Sequence, residues 1–380
     1  MYIEIRKAGF LNKGAQLMLH SIINELNREF PEAKFVMAPH PRLAPFEDRA
    51  RMGFLQKAWY WRFGRQWGNL ARFIPARIRK MYGITLDKQI DVVIDAAGFS
   101  YSDNLGTGNM KELADSCKRW KKNDTTIIML PQAFGPFKNQ RSKRLMKTVT
   151  EKADLIFARD EISFQHISNL ITDKGNIKTG PDFTNLLEGK APGYFDPVKY
   201  KYCLIPNWRM IRNVDNQTSD NYISFMVTCA RYLQQQNVNP FFLIHEGEQD
   251  KVLADKINSR LEEQIDIIHE DDPVKLKGII GSCEGTIGSR FHGLVSALSQ
   301  GVPSLATAWS HKYQMLMKEY DFEQGLVQMD MDKDEVHEKL DMIIDDHSRK
   351  HIKQSLMKQS EELKLQTGEM WKLVIQTIRK

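Results

Sequence analysis

The sequence predicts an α/β protein built from two similar domains, each a parallel sheet covered by helices. Three observations predict it. Short apolar runs of strand length alternate with segments of helical spacing along most of the chain. The alternation occurs twice, on either side of the Pro/Gly-rich stretch Glu188-Gly-Lys-Ala-Pro-Gly-Tyr-Phe-Asp-Pro197. The 380 residues are also too many for one ordinary core.

The first half opens with a strand at Tyr2–Ile5, a loop at Ala8–Gly14 and a helix from about Ala15 to Phe30. Lys34–Ala38 is the next strand, followed by an insertion over residues 40–84. Asp91–Asp95 is an apolar strand ending in Ala96-Ala97-Gly98. Thr125–Leu130 is a strand followed by the turn Pro131-Gln-Ala-Phe-Gly-Pro136, and Ala153–Ala158 precedes Arg159-Asp160-Glu161, which opens a helix. In the second half the strands are Tyr202–Ile205, Pro240–Ile244, Asp266–His269, Gly285–Ile287 and Ser304–Ala306. A last helical region runs over roughly His347–Arg379. The expected division is a first domain 1–187, a linker 188–198, a second domain 199–345 and a C-terminal helical segment 346–380. Two Rossmann-like domains facing each other across a cleft suggest the GT-B architecture, with ligands at the C-terminal ends of both sheets. C-terminal helices crossing back to the first domain would fit it by analogy.

Composition narrows the function classes. Hydrophobic content of 42% and charged content of 27% are those of a soluble globular chain. A net charge of +6 from dispersed residues does not argue for nucleic acid. Cys117, Cys203, Cys229 and Cys283 lack paired spacing, so neither a disulfide framework nor a zinc site is indicated. Met1–Arg6 alternates as a strand and is not a signal peptide, and no run approaches the roughly 20 apolar residues of a membrane span. A reducing cytoplasm is the expected compartment, and the reading leaves a homo-oligomer open.

The most informative segment is Gly281–Ala306, which reads strand, tight turn, helix, glycine stop, strand. Its turn places Ser289, Arg290 and His292 where the helix begins. A helix N-terminus attracts anions, an arginine adds a bidentate grip, and a histidine adds an acid that titrates near neutrality. The plainer reading is an arginine and a histidine that only cap a helix and meet water. Other segments end strands in the same way. Gly9-Phe-Leu-Asn-Lys-Gly14 is a loop that either turns or binds. Asp95 and Asp103, flanking Gly98, either meet acceptor hydroxyls or cap the following segment, and Asp95 is also a candidate base. Gln132 either holds a sugar or phosphate oxygen or belongs to plain turn chemistry. Arg209 or Arg212 projects from a strand end into the expected cleft, and His245 ends another strand as a supporting residue.

These segments, in this order, resemble the polysaccharide pyruvyl transferase family. The resemblance rests on Asn12-Lys-Gly14, Gln132-x-x-Gly-Pro136, Ala158-Arg-Asp-Glu-x-Ser163, Gly180-Pro-Asp182, Ser289-Arg-x-His292 and the aromatic turn with lysine in Ala308-Trp-Ser-His-Lys-Tyr313. It departs from the family at Ala15, where an acid is common, and at Ala96-Ala97, where glycines are usual. The resemblance implies transfer of the enolpyruvyl group of phosphoenolpyruvate onto two hydroxyls of a sugar as a cyclic ketal, in capsule or exopolysaccharide assembly. It implies a donor site of Ser289, Arg290, His292, Lys312 and Arg209 or Arg212, with His292, Arg290 and Asp95 catalytic. Asn12, Gly14, Gly98, Asp103 and Gln132 fall on the acceptor side. Phosphoenolpyruvate is a co-substrate, and neither a cofactor nor a metal is called for. The alternatives are a GT-B glycosyltransferase using a nucleotide sugar, and a non-catalytic glycan-binding module at a membrane surface.

The insertion 40–84 is rich in Arg and Trp and nearly free of acids. Trp59, Phe63, Trp67, Leu70, Ile74, Ile78 and Met81 recur at helical spacing, with Arg62, Arg65, Arg72 and Arg79 largely off that stripe and Pro75 dividing it. An amphipathic helix is expected. It packs on its own domain or a second subunit, or it rests on anionic lipid at the inner membrane face. The second case suits an acceptor sugar carried on a polyprenyl diphosphate.

Overall fold

The computed structural model describes residues 1–307 and 311–380, which divide into two compact units. The first comprises Met1–Leu11, Met18–Phe183 and Gln366–Lys380, and the second Asn12–Leu17 and Thr184–Leu365. The sequence-based division at 187 and 199 is thus replaced by one that falls after Phe183 and assigns the first turn of the helix Lys13–Glu29 to the second unit.

The sheet of the first unit has the order Ile177–Thr179, Leu155–Ala158, Thr126–Phe134, Val92–Asp95, Tyr2–Arg6, Lys34–Met37, Leu55–Lys57, Ile84–Thr85. Phe99–Tyr101 pairs beside the far end of Thr126–Phe134. All these pairings are parallel, so both faces carry helices and the central strands read as unbroken apolar runs. Val93, Ile127 and Ile156 pack into a core with Trp120, Met146 and Val149 from the covering helices. The register sets Arg6 opposite Asp95 at the strand ends. The turn expected at Pro131–Pro136 is mostly strand. Pro131 is accommodated where the register with the neighbouring strand shifts, Ile156 facing Met129 and Ala158 facing Gln132.

The helix expected over Trp59–Met81 does not form. Trp61–Arg62 and Arg65–Gln66 make an antiparallel hairpin whose turn residues Phe63 and Gly64 have φ of 51° and 68°. Gly68–Phe73 is a 3-10 segment, and only Ala76–Met81, directly after Pro75, is α-helical. Gly64, Gly68 and Pro75 interrupt the run too often for a helix of stable length. Leu55–Lys57 and Ile84–Thr85 flank the excursion and join the main sheet.

The second unit carries a parallel sheet in the order Ile267–His269, Pro240–Ile244, Tyr202–Ile205, Gly285–Gly288, Ser304–Thr307, Leu326–Val327. Leu204, Phe242 and Ile287 pack against Tyr222, Met226 and Leu233 of the helix Asn216–Gln235. The stretch read as a linker is built into this unit. Lys190 N donates to Val274 O at 3.1 Å, and the buried Phe195 ring meets Phe241 at 5.8 Å. The last helix is continuous over Asp346–Arg379. Ile352, Leu356 and Leu363 lie in a core with Leu294 and Leu298, whereas Trp371 packs edge-on to Phe183 at 6.2 Å in the first unit. Among the described residues no helix is long and apolar enough to cross a membrane.

Candidate active site

In the second unit the strand Gly285–Gly288 ends in Ser289 and Arg290, and Phe291–Leu298 follows as a helix. Leu294, Val295 and Leu298 face the core and fix the helix against the sheet. The turn is tied from two sides, because the Ser289 carbonyl accepts from Asn207 Nδ2 at 3.0 Å and from the Tyr313 hydroxyl at 2.8 Å. Ser289 itself is fully buried with its hydroxyl against the Tyr222 phenol.

The anion grip expected of Arg290 changes on this geometry. Its guanidinium is buried and donates to both oxygens of Asp250, at 2.5 and 2.6 Å, and to Glu246. Asp250 is fully buried and also accepts from Trp208 N at 2.9 Å. Burial raises the Asp250 carboxyl, while Arg290 and the Trp208 amide act against that. A guanidinium held by two carboxylates brings no net positive charge to a donor, so Arg290 organises the turn.

His292 sits on the backbone of Gly14. A Cβ on Gly14 would lie 2.3 Å from His292 Nδ1, so the missing side chain makes room for the imidazole. Asn12 caps the same helix start, its Oδ1 accepting from Ala15 N at 2.8 Å and its carbonyl from Gln16 N at 3.0 Å. The two residues assigned to the acceptor side therefore build the His292 seat. His245 is buried beside Gly293, a Cβ on which would meet His245 Cδ2 at 3.4 Å. Burial, then the charges of Arg290, His292 and Lys13, push its pKa well below the usual imidazole range. His245 is thus a neutral ring behind the turn.

Arg209 and Arg212 are exposed, and among the described residues neither is ion-paired. Asn207 separates them. Its side-chain oxygen accepts from Arg209 N at 3.0 Å while its Nδ2 holds Ser289, so Arg209 is registered to the turn. Lys312 places Nζ over the Phe291 and Tyr313 rings at 5.4 and 5.0 Å. Ala308–Ser310 of the aromatic turn, and the His311 side chain, lie outside the described residues.

The first-unit candidates form a separate group. Asp95 is fully buried and accepts from Arg6 Nε at 3.3 Å, the Tyr101 hydroxyl at 2.8 Å and Gln132 Nε2 at 3.3 Å. With three donors around it, this carboxylate orients Gln132 and Arg6. Arg6 also holds Glu112 at 2.6 and 3.1 Å; burial pushes that carboxyl up, and the guanidinium brings it down to about 2. Gly98 turns the chain at φ 63°. Asp103 accepts from Lys138 N at 2.5 Å, Asn139 N at 2.9 Å and the Ser142 hydroxyl, so it holds the loop leading into the helix Gln140–Lys152, which Asn139 caps.

Several site residues were not legible beforehand. Glu246 and Asp250 stand four apart across a helix start, a spacing that suits one cation, but nothing in the chain pointed them at Arg290. Lys7 follows the first strand at a φ of 65°, donates to Asn109 Oδ1 at 3.1 Å, and has its pKa lowered by burial and then by Arg6. It lines a cavity of about 120 Å³ with His40, Trp59 and Glu112, at the C-terminal ends of Tyr2–Arg6 and Lys34–Met37. Position after a parallel strand was the signal available.

Two parallel α/β units with polar turns at the strand ends define a class, and solved structures share it. UDP-GlcNAc 2-epimerase from Neisseria meningitidis, bound to UDP-GlcNAc, is 11% identical with a TM-score of 0.60, over 100% of this chain and 99% of that one. UDP-GlcNAc 2-epimerase from Methanocaldococcus jannaschii is 11% identical with a TM-score of 0.57, over 91% and 93%. The trehalose-6-phosphate protein from E. coli bound with UDP-2-fluoro glucose is 11% identical with a TM-score of 0.53, over 100% and 99%. The fold is GT-B. Comparison with curated proteins gave no match. The profile of the polysaccharide pyruvyl transferase family matches residues 12–311, from the Asn12 cap past the Ser289–Gly293 turn. The chain belongs to that family, and so is a transferase acting on polysaccharides.

Proposed function

We propose that the protein transfers the enolpyruvyl group of phosphoenolpyruvate to two hydroxyls of a sugar, closing a cyclic ketal and releasing phosphate. The observation that carries this reading is the His292 imidazole seated on Gly14 at a helix N-terminus, with a neutral His245 behind it. Protonating a carbon needs a positioned acid, and the helix start favours the anion that acid acts on.

As imidazolium, His292 donates its proton to the methylene carbon. Carbon 2 becomes electrophilic and one sugar hydroxyl adds to it. A second hydroxyl then displaces phosphate at the same carbon. Of the two hydroxyl protons, one restores the imidazolium and the other leaves with phosphate. One phosphoenolpyruvate and one diol thus give one ketal and one phosphate. Arg209, registered to the turn by Asn207, is the cation assigned to the donor, with Arg212 and Lys312 adding charge around it. Arg290 positions the turn. The cavity lined by Lys7, His40 and Trp59 is the acceptor-side recess we assign, since an aromatic face beside polar groups suits a sugar ring. The acceptor is a polysaccharide unit or its lipid-linked precursor.

The test is a ketal methyl singlet in the proton spectrum of an oligosaccharide acceptor incubated with phosphoenolpyruvate, with equimolar phosphate release. Arg209→Ala is expected to raise KM for the donor more than Arg212→Ala. Sugar transfer from a nucleotide sugar, with no phosphate released from phosphoenolpyruvate, would replace this reading by a glycosyltransferase.

A further inference from the structure

Residues 59–82 contain seven aromatic residues, six cations and no acid. They leave the sheet after Leu55–Lys57 and return at Ile84–Thr85, two adjacent parallel strands. The excursion is anchored at its base: Gln66 Nε2 donates to Ala58 O at 3.1 Å, and Lys111 Nζ donates to Gly64 O at 2.9 Å. Yet its large apolar side chains stay in water. Phe63 at the hairpin tip is 83% exposed, Phe73 72% and Met81 70%, with Leu70, Ile78 and Tyr82 exposed as well. A monomer rarely leaves so many together without a partner. Arg62 lies over the Phe63 ring at 4.9 Å and Arg72 over the Phe73 ring at 4.8 Å, which sets a cation above each apolar face.

Beside the 3-10 segment is a recess of about 310 Å³ lined by Asn69, Arg72, Lys88, Arg119, Lys122 and Asp87, among others. Asp87 is taken by Lys57 at 2.8 Å and by Arg119 at 3.3 Å. Arg72, Lys88 and Lys122 are left to give the recess a net positive charge.

From this pairing of exposed apolar tips with an acid-free basic surface and a cationic recess, we infer that residues 59–82 dock the protein on an anionic lipid bilayer. The apolar tips enter the acyl boundary, and the cations and the recess meet lipid phosphates. A second copy is a poor occupant, because two such surfaces bring like charge to like charge. The exposed Leu70, Ile78 and Met81 suit acyl chains and offer no face for stacking bases. The inference does not depend on the proposed reaction.

Cosedimentation of the full chain with vesicles tests it. Two triple variants are compared with the wild type: Phe63→Ser/Phe73→Ser/Met81→Ser and Arg65→Gln/Arg72→Gln/Lys122→Gln. All six side chains are solvent-exposed, and unchanged melting temperatures confirm folding. The wild type is expected to bind phosphatidylcholine vesicles containing phosphatidylglycerol, to ignore pure phosphatidylcholine, and to be released by salt. Each lost cation should weaken binding about fivefold, about 100-fold for the charge variant. The apolar variant should lose binding too. Equal sedimentation of all three proteins, no binding by the wild type, or equal binding to neutral vesicles would overturn the inference. So would a wild-type dimer that the apolar variant turns into a monomer, which would make the surface a subunit interface.

Discussion

Replacing Gly14 by alanine should dislodge the His292 imidazole. The new Cβ would stand 2.3 Å from Nδ1 and 2.9 Å from Cγ. Ordinary contact is about 3.5 Å, so the ring must move by roughly 1 Å. Gly14 lies in the first turn of the helix Lys13–Glu29 and is not among the residues of positive φ, so alanine is otherwise welcome there and favours the helix by up to about 1 kcal/mol. Overpacking opposes that by about 1–3 kcal/mol. The net stability change should be a loss of no more than about 3 kcal/mol, whereas a displacement of roughly 1 Å in an acid costs about 100-fold in turnover. Urea unfolding and steady-state phosphate release measure the two effects. In Gly14→Ala/His292→Ala the clash is gone. The double variant should be more stable than His292→Ala alone, and no slower. The coupling between the two sites should therefore be about 1–3 kcal/mol. Additive stability effects, or wild-type turnover in Gly14→Ala, would refute the seating of His292 on Gly14.

Other outcomes follow from the same contacts. Asp250→Asn leaves the buried Arg290 guanidinium undercompensated and should lower unfolding stability by about 3–5 kcal/mol in urea titrations; Glu246→Gln, at a more exposed partner, should cost less. His245 has a lowered folded pKa, so the unfolded chain binds the extra proton first. Stability should fall as pH drops below about 6.5, by up to about 1.4 kcal/mol per pH unit from this group, and His245→Gln should flatten that part of the profile. The depressed carboxyl of Glu112 acts in a lower window, its contribution being lost as pH falls from its ordinary range toward about 2. Asp103→Ala removes the acceptor that holds Lys138 N, Asn139 N and the Ser142 hydroxyl and should cost about 1–2 kcal/mol in stability while leaving turnover unchanged.

The strands of both sheets were largely legible because parallel strands covered on both faces leave unbroken apolar runs such as Val92–Ile94 and Pro240–Ile244. Edge strands of two or three residues, Leu55–Lys57 and Ile84–Thr85, carry too short a pattern to be read. In the insertion, spacing of three and four suggested a helix, but Gly64 and Pro75 decide the backbone and the spacing is incidental. The Ser289–His292 turn was legible because a helix start after a strand is local. The Arg290 partners were not, since Glu246 and Asp250 lie 44 and 40 residues away in the chain. Asp95 and Asp103 read alike as polar residues after a strand. Only the fold separates the buried hub Asp95 from Asp103, which ties down a loop.

Titration calorimetry with phosphoenolpyruvate and, separately, with UDP-GlcNAc tests donor identity without an acceptor. The expected result is saturable binding of phosphoenolpyruvate by the wild type. His292→Ala should retain it, and Arg209→Ala should weaken it by about 10-fold or more, as for a lost charge-assisted contact of about 1.5–3 kcal/mol. UDP-GlcNAc should give no heat of binding. Saturable binding of UDP-GlcNAc with none of phosphoenolpyruvate would contradict the assignment of this site to pyruvyl transfer.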